Sequence, residues 1–258
     1  MKAPRVIIYG PPKIGKTVLA IQAVGRAAAW LSCDAGAIAP ATVAVLNPWR
    51  THCKLRGDVI GIDTGHAHVS GCGELVIPKQ IECIDPDKPF EEMLRAVVAM
   101  EKAVHAGKIG AVVIDTFSAF SDREWRRITM DDGIKEGYAK ANRALANSVK
   151  RIIDRIVAMQ ILMVGLCHER EPTEFEGKKT PGGPLFAGDL VKSVPGMVDS
   201  VLRCDTDWVD GQAVRVLKCD PTNRTRLSGD RWHVVNGTVP FDLYPILRQM
   251  CAQAKLLE

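Results

Sequence analysis

Only 5% of the residues are aromatic, the net charge is a mere +4, and the eight cysteines include no C-x-x-C pair. Each scarcity excludes something. No apolar run reaches the about 18 residues of a membrane-spanning helix. Met1-Lys2-Ala3-Pro4-Arg5 leads into the short run Val6-Ile7-Ile8-Tyr9, without the longer apolar core and small-residue cleavage site of a signal peptide. That stretch reads as a first β-strand. Cysteines scattered at 33, 53, 72, 83, 167, 204, 219 and 251, with no such leader, suggest reduced thiols and a cytoplasmic setting. The small charge does not by itself argue for a nucleic-acid partner. No N-K-x-D motif for guanine, no internal repeat and no low-complexity tract is present.

What is there is ordinary for one soluble α/β domain: 258 residues, 47% hydrophobic and 25% charged. Apolar periodicity predicts strands at 5–9, 30–33, 81–84, 111–114 and 161–166, with helices over 17–29, 89–106 and 134–158. Two more strands, at 199–204 and 213–218, precede a final helix near 242–256. Such alternation implies a mostly parallel sheet with helices on both faces. Residues 37–80 read as an insertion or extra strands, and the Gly/Pro-rich stretch 169–192 as a mobile loop.

The strongest local signal is Gly10-Pro11-Pro12-Lys13-Ile14-Gly15-Lys16-Thr17, which fits G-x-x-x-x-G-K-[ST]. The two glycines permit a tight loop whose N–H groups wrap a phosphate. The helix that follows, entered at Val18, aims its positive end at the same anion. Lys16 is then expected at the β- and γ-phosphates, and the Thr17 hydroxyl on Mg2+. The metal's water shell needs a second carboxylate, and Asp115 closes the apolar strand 111–114. ATP with Mg2+ is the expected cofactor pair.

Val112-Val113-Ile114-Asp115-Thr116-Phe117-Ser118-Ala119-Phe120 resembles the second nucleotide motif of the RecA-like recombinase ATPases. Leu166-Cys167-His168-Glu169-Arg170 resembles that family's sensor segment, and residues 181–204 resemble its DNA-binding loop with the helix and strand beyond. The sequence is most similar to the small RecA-core, AAA-family ATPases of bacteriophages, several of which act in single-strand annealing or recombination. The resemblance implies a RecA-like P-loop core with antiparallel strands added toward the C-terminus. It also implies a cytoplasmic location in a bacterial cell or phage-infected host, and self-association into a ring or filament. Lys16, Thr17 and Asp115 match the phosphate and metal roles, and His168 falls at the sensor. Lys218, with Arg224 and Arg226 just beyond, is the candidate to reach a neighbouring subunit's nucleotide. One departure concerns hydrolysis. The family's catalytic glutamate position is Gly36 here, leaving Asp34 and Glu169 as alternatives.

The resemblance implies single-stranded DNA as the partner, and because such binders combine cations with stacking aromatics, Arg170, Lys178, Lys179 and Phe186 are the candidate contacts, although acidic residues nearly cancel the charge of this loop. Arg123, Arg126 and Arg127 around Trp125 form a second basic cluster. His52, Cys53, His66, His68 and Cys72 lack the close pairing that organises zinc sites, so zinc is not expected. Two other readings stay open. The loop could belong to a small-molecule or nucleotide kinase with residues 169–192 as its lid, or to a non-hydrolysing ATP-sensing assembly protein.

Overall fold

Runs such as Val6–Tyr9 and Ala111–Ile114 present no polar face to water, so both sides of their strands must be covered. In the computed structural model they lie at the centre of a large sheet, wholly buried. The structure describes residues 3–24, 28–33, 80–83, 87–131, 138–175, 177–223 and 225–255.

The elements run β1 (Arg5–Gly10), α1 (Lys16–Val24), β2 (Ala28–Ser32), β3 (Gln80–Cys83), α2 (Pro89–His105) and β4 (Ala111–Asp115). Next come α3 (Phe117–Arg126), which passes into a π turn (Arg127–Asp131), then α4 (Tyr138–Ala158) and β5 (Leu162–Arg170). Three short strands follow, β6 (Thr173–Phe175), β7 (Lys178–Thr180) and β8 (Gly183–Pro184), before α5 (Leu190–Met197). The last part holds β9 (Ser200–Val209), β10 (Gln212–Cys219), β11 (Gly229–Asp230), β12 (Gly237–Pro240) and α6 (Tyr244–Gln253).

The main sheet is ordered β12-β10-β9-β1-β5-β4-β2-β3. From β9 to β3 every pairing is parallel. β10, β11 and β12 join antiparallel at the other side. This is the expected α/β architecture, mostly parallel with antiparallel strands toward the C-terminus. Alternation along β1 divides the core between the two faces. Val6 and Ile8 pack with Leu19 of α1 and Leu247 of α6, while Ile7 and Tyr9 pack with Met93 of α2, Phe117 of α3 and Leu145 of α4.

Several boundaries differ from the periodicity. Ala28 and Ala29, expected in the first helix, start β2, where they pair with Ala111 and Val112; sheet burial overrides alanine's helix preference. Helix α3 was not expected, because Phe117–Arg126 carries little apolar repeat. Its start is set by Thr116, whose side chain accepts from the Ala119 N–H at 3.2 Å. β5 continues through His168, Glu169 and Arg170, and the expected mobile loop contains the β6–β7 hairpin. The first part of the helix expected from 134 and nearly all of the 37–80 insertion, with its His/Cys set, lie outside the described residues.

Candidate functional site

In open sheets, ligands sit beyond the carboxyl ends of the parallel strands, where connections leave in opposite directions. Here β1 lies between β5 and β9, and its chain leaves across β5 and β4 to reach β2. The loop 10–17 therefore opens at such a point. Lys13 and Gly15 take left-handed conformations, with φ of 62° and 103°. At Gly15 this conformation favours glycine, since a side chain would be strained there. Gly10 needs its missing side chain for another reason. A Cβ there would lie 2.6 Å from the Cys204 carbonyl oxygen on β9.

Lys16 is 7% exposed, and its Nζ donates to the carbonyls of Gly10 at 2.9 Å and Pro11 at 2.8 Å. Burial lowers its pKa below the ordinary lysine value, against the opposing pull of negative groups that include Asp115. Thr17 Oγ1 donates to Asp115 Oδ2 at 2.9 Å. A hydroxyl on the first turn of α1 and a carboxylate at the end of β4 thus face each other across 98 residues of chain. Oxygen donors of this kind suit a hard cation such as Mg2+. Among the described residues no cluster of three His, Cys, Asp or Glu side chains is placed to hold a metal alone.

His168 pairs with Gly10 in the β1–β5 register and so stands beside the loop's first residue. Its backbone N–H donates to Ser118 Oγ at 3.0 Å, and that hydroxyl donates to Leu185 O at 2.6 Å. One serine at the start of α3 therefore holds both stems of the 169–184 excursion.

Glu169, 3% exposed, is engaged twice: its Oε1 accepts from Arg203 at 2.8 Å and from Arg226 at 2.5 Å. Arg226 also reaches Glu171 at 2.5 Å. Lys218 pairs within its own chain with Asp205 at 3.0 Å and Asp207 at 2.5 Å. Burial disfavours both charged forms of the Lys218–Asp205 pair. Their mutual bond, with added support from Asp207, Arg203 and the Thr206 N–H, outweighs that, raising the lysine's pKa and lowering the aspartate's.

The DNA-contact candidates are dispersed. Lys179 is exposed, 3.9 Å from Glu174, and Arg170 donates to the Pro181 carbonyl at 2.7 Å. Phe186 requires a correction: it is 5% exposed and packs edge-on against Phe117, so it is a core residue and not a stacking face for bases. The 123–127 cluster is partly neutralised, with Arg127 on the buried Glu124 at 2.9 Å and Arg126 on Asp122 at 2.9 Å. Asp34, Arg224 and the Lys178 side chain lie outside the described residues.

Other residues of the site carried no signal in the sequence. A Cβ on Gly15 would lie 3.0 Å from a guanidinium nitrogen of Arg215 and 3.8 Å from the Phe241 ring. Arg203 and Ser118 are equally anonymous in sequence, because their roles depend on strands brought together by the sheet. No described helix is long and apolar enough to cross a membrane.

The sequence pattern of a family described as the AAA domain matches residues 2–232. No curated protein matches the chain by sequence. Among solved structures it is similar to one titled "Crystal structure of the RadB recombinase", at 18% identity and a TM-score of 0.47, covering 88% of this chain and 86% of that one.

Proposed function

The chain belongs to the AAA-domain family, and from that premise we propose that it acts as a RecA-like P-loop ATPase. We infer that it binds Mg-ATP at residues 10–18 and hydrolyses it. Hydrolysis would serve DNA recombination, repair or replication, with the protein acting as an oligomer on single-stranded DNA. The observation that carries the nucleotide reading is Lys16. Among the described residues its buried ammonium makes its hydrogen bonds to loop carbonyls and forms no direct ion pair, and a phosphate would supply an anionic partner.

Mg2+ would be held by Thr17, with Asp115 ordering its water shell, and it supplies neutralisation of charge developing on the phosphate oxygens. Lys16 orients the terminal phosphates, and the amides of the loop and of α1 complete the cradle. We infer that His168 senses the bound phosphate and passes its state to the 169–184 excursion; its register position beside Gly10 supports this. In an assembly, Lys218, Arg224 and Arg226 are the candidates to reach a neighbour's nucleotide. Arg170, Lys178 and Lys179 remain the proposed DNA contacts.

A second reading has an observation in its favour. Glu169 is bound by two arginines, so in this state it is not available to orient a water, as a non-hydrolysing ATP sensor would have it. The test is ATP turnover with and without single-stranded DNA, with particle size followed in parallel. DNA-stimulated turnover and salt-sensitive DNA binding support the first reading. ATP binding without turnover supports the second. Lys16→Ala should weaken ATP binding by about a hundredfold or more, and retained affinity removes the phosphate-loop assignment.

A further inference from the structure

We propose that Arg215 is a positioning residue for the polyphosphate of the bound nucleotide, acting on its own chain's loop. The proposal rests on the nucleotide-binding reading above and adds a residue that the loop motif does not contain.

The placement follows from strand geometry. β9 pairs with β1 only as far as Arg203 opposite Tyr9, yet it continues to Val209. The β9–β10 hairpin therefore projects past the end of β1, above the point where the 10–17 loop begins. Arg215 lies on this overhang, opposite Thr206. Two residues further, Leu217 packs into the core cluster that contains Leu19 of α1. Side chains two apart on a strand share a face, so Arg215 is directed to the face that carries α1 and the loop. The contact agrees, since its guanidinium would meet a Cβ on Gly15 at 3.0 Å. The residue is nonetheless exposed, which leaves a ligand access to it.

The chemistry of the ligand asks for such a group. ATP with one Mg2+ retains about two negative charges, and within the loop Lys16 supplies one buried cation. A guanidinium can donate two parallel hydrogen bonds to phosphate oxygens and stays charged at any working pH. The position of Arg215 against Gly15 aims its guanidinium at the loop.

The experiment is equilibrium binding of ATP and ADP to the full chain and to Arg215→Ala, Arg215→Lys and Lys16→Ala, at several salt concentrations. Arg215→Ala is expected to weaken ATP about tenfold and to flatten the dependence of affinity on salt, while Arg215→Lys recovers part of both. A purely structural role would not change the salt slope or respond to the retained charge. If Arg215→Ala melts early, the Arg215→Lys comparison and the salt slope of the folded fraction carry the test. Parental affinity and slope in Arg215→Ala, with binding lost in Lys16→Ala, overturn the Arg215 assignment alone. Parental affinity in Lys16→Ala overturns the nucleotide reading beneath it.

Discussion

Two lysines at the same edge of the sheet have opposite surroundings. Lys16, inside the phosphate loop, is buried against backbone carbonyls, and its pKa is lowered. Lys218, on β10, sits between two aspartates, and its pKa is raised. The first region is built for a negative charge to arrive, and the second already contains its own. Cation count along the chain does not distinguish them. The partner does, and it decides which lysine is available to a ligand in this state.

The contrast is most sharply tested at the centre of the charged network. Glu169→Ala removes the carboxylate that Arg203 and Arg226 share, leaving them Asp205 and Glu171, and is expected to cost about 1.5–3 kcal/mol for the lost charged hydrogen bonds. Chemical denaturation measures this directly. A loss below about 1 kcal/mol would place the network with ordinary surface pairs.

The next effect concerns pH. The folded pKa of Lys16 is depressed, so burying its ammonium penalises the fold below that pKa, and the penalty lifts as pH rises through it. A bound phosphate holds the proton on. Nucleotide affinity is therefore expected to fall as pH rises toward the ordinary lysine range, with proton uptake on binding in that window. Calorimetry in buffers of different ionisation enthalpy reads this uptake. Lys218 behaves in the opposite sense. Its folded pKa is raised, so its contribution is complete below the unfolded value and is lost as pH climbs through the folded one. Lys218→Met should cost only about 1 kcal/mol, because the pair is part-exposed and screened, and alkaline pH should shrink the difference.

The smallest effect is chemical. Burial pushes the thiols of Cys204 and Cys251 up to about 12 and that of Cys219 up to about 11. Near pH 8 these three should resist alkylation in the folded chain and react on unfolding. Rapid native labelling, located by mass spectrometry, would contradict their burial.

Much of this was legible in the chain itself. The loop 10–17 and the strand ending at Asp115 could be read because their meaning lies in local spacing and in unbroken apolar runs. The motif's chemistry assigned Thr17 and Asp115 to one metal, and the structure joins them by a hydrogen bond. Helix α3 escaped notice, since a capping threonine and not an apolar repeat defines it. Phe186 looked like a base-stacking residue because the sequence of a Gly/Pro-rich stretch does not reveal that its ring meets Phe117. Arg226 and Glu169 are 57 residues apart, and nothing local announces their pairing.

The sequence alone determined a phosphate loop between a buried strand and a helix, and a carboxylate at the end of another strand, because those signals act within a turn or a strand. Tertiary structure decided which cations are neutralised, which aromatic is buried, and that Arg215 overhangs Gly15. Charge and packing act through space, and only the order of β10, β9, β1 and β5 brings these groups within a few ångströms.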